Sequence, residues 1–397
     1  MHTDYQTKLF SNAPMLPSTK VTIVIPVKDE ETYIEDLLKS LKDQVDLAGN
    51  KINYDLYEVL VLANNCSDGT VDLIKKFKLK NKKINLHLEE VALEAEQANI
   101  GFVRKTLMDV AYTRLSINCS GLILTTDGDT IVSQDWIAQN SAEIRNGAEA
   151  VGGRILLKEE EFQCLDNGIV FFHQKDEEYQ LLVAEVEAEV LENFDHRKGC
   201  HHQHFNGSFA VTSECYHKSG GIPVVKHLED CAFYDRLLAV DAKVRHSNNV
   251  IVKTSARCIG RTDIGLSHQL NIWKNIDNQK DQFLVESSES ILYRLKIKKH
   301  LKDLWHLRNS ENIVVEHELK TFDNQIKFDE NLLANFTTSN YFGEWFQEIK
   351  HLNEHTWREQ FQPVDIDEAI TNLKATLQNK FFKIFARHQS GTDLFWF

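Results

Sequence analysis

The first 130 residues predict a doubly wound α/β sheet, and three observations carry that expectation. Short continuous apolar runs recur, each run is followed by a polar turn, and each turn leads into a segment with helical spacing. Strands alternating with helices in this way require right-handed crossovers and place ligands beyond the carboxyl ends of the strands.

Residues 21–27, VTIVIPV, are β-branched and apolar without alternation, the pattern of a strand covered on both faces. The stretch DEETYIEDLLKSLKDQ opens with acids suited to a helix N-terminus and sets Ile34, Leu37, Leu38 and Leu41 at helical spacing. YEVLVLA (57–63), the turn NNCSDGT (64–70) and a helix over 71–77 repeat the unit. A third strand is expected at INLHLEE, a helix over 99–115 and a fourth strand at GLILTT (121–126). The basic run KKFKLKNKK (75–83) includes apolar residues and leads into a strand, so it reads as a solvated helix end.

Further on, strands are expected at 151–157, 205–211 and 250–254 and a helix over 229–240, while 166–195 is acidic and apolar at helical spacing. Beyond 265 strand signals fade, and NLLANF, YFGEWFQEIKHL and AITNLKATLQNKFFKIFARH read as helices. The expected organisation is an extension over 1–20, a main domain over 21–265 divided into halves 21–130 and 131–265, and a helical subdomain over 266–397.

A net charge of -14 offers a phosphate backbone no general attraction, so nucleic-acid binding is not expected. Seven scattered cysteines form no C-x-x-C pair, which fits a reducing compartment. The first 20 residues lack the charged start and apolar run of an export signal, and no run of about 18 apolar residues occurs. A cytoplasmic, soluble protein without a transmembrane segment is expected.

Three polar clusters fall at expected strand ends: Lys28 to Glu31, Asn64 to Gly69 and Asp127 to Thr130. Asp127 and Asp129 stand one residue apart at the end of the fourth strand, where two carboxylates can share a divalent cation and Gly128 allows close backbone approach. Asp-x-Asp is also common in surface turns, and its position at a strand end is what favours the cation. A hard oxygen-ligated ion there would bridge to a diphosphate. Glu229 and Asp230 precede an apolar-periodic helix. They suit either helix capping or a general base taking a proton from an acceptor hydroxyl. Arg104, Lys105, Arg257 and Arg261 are candidate positive charges for a diphosphate, although single arginines more often form surface ion pairs, and Arg257 and Arg261 are grouped also with the acceptor-side candidates. His204 is a candidate lining residue of a substrate pocket, and His246 and His268 are candidate third ligands of a cation. The cluster Cys200, His201, His202 and His204 lacks a zinc spacing. The sequence also has no G-x-x-x-x-G-K-[ST], no G-x-G-x-x-G after a strand and no G-x-S-x-G.

Taken in order, VTIVIPVKDEE, ANNCSDGT, IGFVRKTLMDVA, LILTTDGDTIVSQDW, HFNGSFAVTSECYHKSGGIP and HLEDCAFYDRLL resemble family 2 glycosyltransferases over about residues 20 to 265. The last part, VKTSARCIGRTDIGLSHQL, resembles soluble bacterial members. The resemblance implies a GT-A fold: a doubly wound mixed sheet with a Rossmann-like nucleotide half and an acceptor half. Pro26, Val27, Lys28 and Glu30 match the loop that holds the nucleoside, and Asn64 matches the position that contacts the base. Ala63 and Asn64 stand where many members have two aspartates, which leaves the base open. By similarity, Asp127 contacts ribose or metal, Asp129 binds the metal, and Arg104 is the basic residue before that strand. Gly207 and Ser208 match the small-residue segment beside the acceptor, Asp230 matches the catalytic aspartate, and Glu229 precedes it.

The resemblance then implies an inverting transfer of sugar from a nucleoside-diphosphate sugar to an acceptor hydroxyl. Mg²⁺ or Mn²⁺ is the implied cofactor, Asp230 the general base, and Glu229 a neighbour that raises its basicity by like-charge repulsion. The acceptor stays open between a saccharide, a lipid-linked molecule and a small molecule. Two other readings are a nucleotidyltransferase, disfavoured by the lack of a Gly-rich basic loop after the first strand, and a non-catalytic binding protein on a degenerate transferase fold, disfavoured by the four acids together. The C-terminal aromatics Trp305, Tyr341, Phe342, Trp345, Phe346, Trp357, Phe381, Phe382, Phe395, Trp396 and Phe397 read first as helix packing. An acceptor cover, a homodimer face or peripheral membrane contact is the second reading.

Overall fold

The structure, a computed structural model, describes residues 9–117, 120–192, 194, 199–258, 260, 264–275, 282–308, 319 and 326–389. By its contacts the chain divides into two compact units, residues 1–166 with 203–274 and residues 167–202 with 275–397. The segment 167–202, assigned by sequence to the main domain, thus groups with the C-terminal residues, because its apolar side chains pack into their helical core.

In the first unit the strands are β1 (Val21–Val27), β2 (Tyr57–Asn64), β3 (Leu86–Val91), β4 (Leu122–Thr126), β5 (Ile131–Val132), β6 (Ala150–Leu157), β7 (Ser208–Thr212) and β8 (Val244–Thr254). They form one eight-stranded sheet in the order β3-β2-β1-β4-β7-β6-β8-β5. β3, β2, β1 and β4 run parallel, β7 runs antiparallel to both β4 and β6, and β5 pairs antiparallel with β8. The fold is therefore a mixed α/β sheet. β1 lies between β2 and β4, so the strand order reverses there and the crevice of a doubly wound sheet opens beyond Val27 and Thr126.

The helices are α1 (Ile34–Lys42), α2 (Thr70–Lys80), α3 (Ile100–Ile117), α4 (Trp136–Arg145), α5 (Glu159–Phe162), α6 (Asn167–Leu191), α7 (Ser213–Lys218), α8 (Glu229–Ala239), α9 (Leu266–Asn275), α10 (Ser288–Leu307), α11 (Glu330–Thr338), α12 (Phe342–Gln360) and α13 (Ile366–Gln389). All seven residues of β1 and all eight of β2 are buried, as unalternating apolar runs require. α1 buries Ile34, Leu37, Leu38 and Leu41, with Glu35 and Asp36 in its first turn and Lys39 and Lys42 in its last, matching its dipole at both ends. A core of Val24, Leu60, Leu107, Met108, Ile123 and Phe209 joins β1, β2, β4 and β7 to α3.

The second unit contains α6, α10, α11, α12, α13 and a two-stranded sheet of β9 (Leu284–Val285) and β10 (Val364–Asp365). Trp305, Phe342, Trp345 and Trp357 are buried in one helical core with Leu301 and Phe336, and the indole of Trp345 donates to the Leu332 carbonyl at 2.8 Å. These aromatics therefore serve helix packing, with Phe346 packed at the edge of the same core. The side chains of Phe381 and Phe382 and residues Phe395, Trp396 and Phe397 lie outside the described residues. Among the described residues no helix is long and apolar enough to cross a membrane.

Candidate active site

All the described candidate residues belong to the first unit. The loops after β1 and β2 are stitched by reciprocal hydrogen bonds. The Asp29 carboxylate accepts from the Ser67 amide at 2.7 Å and its hydroxyl at 3.2 Å, the Gly69 amide donates to Glu31 at 2.9 Å, and the Glu31 amide donates to Asp68 at 3.1 Å. Asp29 and Asn65 both hold left-handed backbone, at φ 54 and 50, a conformation that Asp and Asn tolerate best among residues with a side chain. This stitching builds a wall carrying Lys28, which is half-buried, and Asn64, which is buried at the end of β2. Pro26 and Val27 lie buried within β1 and contribute backbone to that wall.

Arg104 on α3 is the hub of the floor. Its side chain is 3% exposed; Nε donates to Glu229 at 3.1 Å, Nη1 to the Thr125 hydroxyl at 2.6 Å and Nη2 to Asp127 at 2.5 Å. Burial opposes the charge of Arg104, but Asp127 and Glu229 outweigh it and hold the guanidinium above its ordinary pKa. Desolvation by the surrounding protein pushes the Asp127 carboxyl up, with Arg104 pulling the other way, although the side chain itself stays 40% exposed. Asp127 Oδ1 faces Arg104, and a Cβ at Gly207 would stand 3.1 Å from Oδ2, so only a glycine backbone approaches there without crowding.

Asp129 belongs to a second network. Its carboxylate accepts from the Thr254 hydroxyl at 3.2 Å and the Ser255 hydroxyl at 2.6 Å, and Arg257 Nη2 stands 2.9 Å from Oδ2. The same guanidinium holds Glu30 with both terminal nitrogens, at 2.9 and 3.0 Å. Gly128 separates the two networks; a Cβ there would meet Glu30 Cγ at 2.9 Å and Val27 Cγ1 at 3.0 Å. Burial works against the charge of Arg257, and Glu30 and Asp129 more than restore it. Arg257, grouped by sequence with acceptor residues, thus sits on the carboxylates after β1 and β4. Lys158 stands 4.2 Å over the Tyr33 ring, its amine pushed below its ordinary pKa by burial, and Arg257 stands 5.8 Å from the same ring.

A divalent ion finds no assembled site in this arrangement. The oxygens of Asp129 already take two hydroxyls and a guanidinium, and among the described residues no group of three His, Cys, Asp or Glu side chains could hold a metal. His246 instead stacks edge-on to Tyr234 at 5.7 Å, and His268 is exposed on α9.

Glu229 and Asp230 start α8 after Leu228, which holds φ at 55. Glu229 is buried and faces Arg104, so its charge is compensated by the same guanidinium that bonds Asp127. Asp230 is half-buried, with one carboxylate oxygen accepting from the Cys231 amide at 2.8 Å. Burial and the adjacent Asp230 push the Cys231 thiol up to about 12, which removes it as a thiolate nucleophile.

One helical turn after Asp230, Tyr234 stacks on His204 at 4.1 Å with 12° between the rings, and Phe205 lies 5.1 Å from His204. Ser208 does not line this wall; its hydroxyl is buried and accepts from the Trp136 indole at 3.1 Å. Arg261 lies outside the described residues. Sequence reasoning missed Asn206. It is 2% exposed, its carbonyl is 3.4 Å from Arg104 Nη1, and both atoms of its side-chain amide are buried without a hydrogen-bond partner among the described residues. Its place between His204 and Gly207 was the available signal.

Residues 22–165 match the model of Glycosyl transferase family 2. Glycosyltransferase AglE from Haloferax volcanii is 28% identical over 137 residues, 34% of this chain. That match spans 39% of the length of the archaeal protein. Among solved structures, S. aureus TarS 1-349 in complex with UDP-GlcNAc is similar at a TM-score of 0.43 and 14% identity, over 91% of this chain and 92% of that one. Mannosyltransferase PcManGT from Pyrobaculum calidifontis, in complex with GDP-Man and Mn2+, is similar at a TM-score of 0.42 and 12% identity, over 89% of this chain and 93% of that one.

Proposed function

We propose that this chain is an inverting glycosyltransferase of GT-A type, which moves a sugar from a nucleoside-diphosphate sugar to an acceptor hydroxyl. The carrying observation is the bonded chain Asp127–Arg104–Glu229, which ties the loop after β4 to the first turn of α8 and so to Asp230.

In this reading the stitched loops bearing Lys28 and Asn64 hold the nucleotide, with Asn64 offering its amide to the base. Asp127, fixed through Oδ1, presents its other oxygen to a hydroxyl of the ribose or sugar. Asp230 accepts the proton of the acceptor hydroxyl as that oxygen bonds to the anomeric carbon. The bond from the anomeric carbon to the diphosphate oxygen breaks, and the nucleoside diphosphate leaves with the electron pair. Attack from the face opposite the leaving group inverts the anomeric configuration. Asp230 is suited to the base role because among the described residues no cation bonds it, whereas Glu30, Asp127, Asp129 and Glu229 each hold an arginine. No step is routed through an ion, given the engagement of Asp129. His204, Tyr234 and Phe205 form an aromatic wall on the acceptor side, suited to the apolar face of a sugar ring.

The acceptor is a saccharide, lipid-linked or small-molecule hydroxyl, and the protein works in the cytoplasm. The first unit carries the chemistry and the second is a helical appendage. The test is incubation of purified protein with uridine, guanosine and thymidine diphosphate sugars, with release of free sugar or glycoside and nucleoside diphosphate read by chromatography. Turnover of one donor, absent from Asp230→Asn, supports the reading. Release of pyrophosphate from a nucleoside triphosphate, or no binding of any nucleoside diphosphate, overturns it.

A further inference from the structure

We infer that the Arg257 guanidinium is an internal cation seated on Asp129, and that it keeps a divalent ion off this carboxylate. The inference rests on the donor-site reading above.

The Glu30 and Asp129 side chains are 7% and 10% exposed, so two anions share one desolvated space and require a cation beside them. Arg257 supplies it with two bonds to Glu30 and a third contact, at 2.9 Å, to Asp129. Thr254 and Ser255 donate to the two Asp129 oxygens from the other side. An ion that coordinates carboxylate oxygen at about 2.1 Å cannot share Oδ2 with a guanidinium nitrogen in that position. Uptake of an ion therefore requires Arg257 to leave.

The Arg257 Nε is buried and, among the described residues, without a partner, so the guanidinium is held in this seat by its two terminal nitrogens alone.

Mn²⁺ binding, read by electron paramagnetic resonance of free Mn²⁺, tests this on the full chain without turnover. Four proteins are compared: wild type, Arg257→Gln, Arg257→Lys and Lys158→Gln. Lys158 is a neighbouring positive charge that makes no bond to Asp129, so its variant reports the general field of the site. Expected is Mn²⁺ affinity at least about 30-fold tighter in Arg257→Gln than in nucleotide-free wild type, with Lys158→Gln within about 3-fold of wild type. If Arg257→Gln does not fold, Arg257→Lys keeps the charge but cannot bridge both carboxylates, and it is expected to bind at least about 5-fold tighter than wild type. Equal affinity in wild type and the Arg257 variants, or an equal gain in Lys158→Gln, overturns the inference. Failure of wild type to bind any of the three nucleoside diphosphates in ion-free buffer sinks the donor-site reading instead, independently of the contrast among variants.

Discussion

Arg104 and Glu229, 125 positions apart in the chain, meet at 3.1 Å with both side chains under 10% exposed. Their pairing explains how an Asp-x-Asp on one strand and a Glu-Asp on a distant helix become one site. Glu229 orients the guanidinium, and the guanidinium orients Asp127. Removing one partner of such a pair leaves an uncompensated buried charge, which costs about 3–5 kcal/mol. Arg104→Ala is therefore expected to lose stability of that order in urea denaturation and to bind nucleoside diphosphate weakly. Arg104→Lys keeps one charge but cannot reach Thr125, Asp127 and Glu229 together, so it should recover only part of both.

Asp230→Asn separates chemistry from folding. Asparagine keeps an oxygen for the Cys231 amide, so the melting temperature and donor affinity should match wild type. Loss of a general base lowers rates by about 10²–10⁴-fold. A transfer assay at saturating donor should show kcat falling in that range with little change in donor KM. An unaltered kcat would remove Asp230 from the proton transfer.

Much of this architecture was legible because burial on two faces writes a plain pattern. β1 and β2 are continuous apolar runs, and both end at polar clusters that the structure brings to the crevice. β8 was read only over 250–254, yet it begins at Val244, because Arg245, His246, Ser247, Asn248 and Asn249 break the apolar pattern. Its partner β6 shifts register between Gly153 and Arg154, another irregularity without a sequence signature. Within the site, residue types were readable but partners were not. Arg257 faces Asp129 and Glu30, and Glu229 faces Arg104, through tertiary contacts spanning more than a hundred residues.

Burial lowers the pKa of His87 on β3 below its ordinary value, although Glu58 at 3.8 Å pulls it up. The imidazole is then neutral in the folded state at pH values where the unfolded chain, titrating near about 6.5, has begun to bind a proton. This contribution to stability is present above about pH 6.5 and is lost as pH falls through the folded value. Urea midpoints should fall between pH 7 and pH 5. His87→Gln should flatten that slope, and a slope identical to wild type would show that other groups set it.

The amide of Asn206 makes the last contrast. Two buried polar atoms without partners cost about 1–3 kcal/mol each in a protein interior, and such a cost persists where a ligand recovers it. Asn206→Leu keeps the branched outline and removes both polar atoms, a gain that offsets the cost of its larger methyl ends. It should therefore be at least as stable as wild type in urea. Because Asn206 adjoins Arg104 and Gly207, the same change should weaken sugar transfer by about 10-fold or more, with KM for donor or acceptor rising. Crystals at high resolution would show a water on the amide if solvent satisfies it, and in that case Asn206→Leu should lose stability and leave KM untouched. Gain of stability together with loss of affinity is the outcome that assigns Asn206 to the substrate.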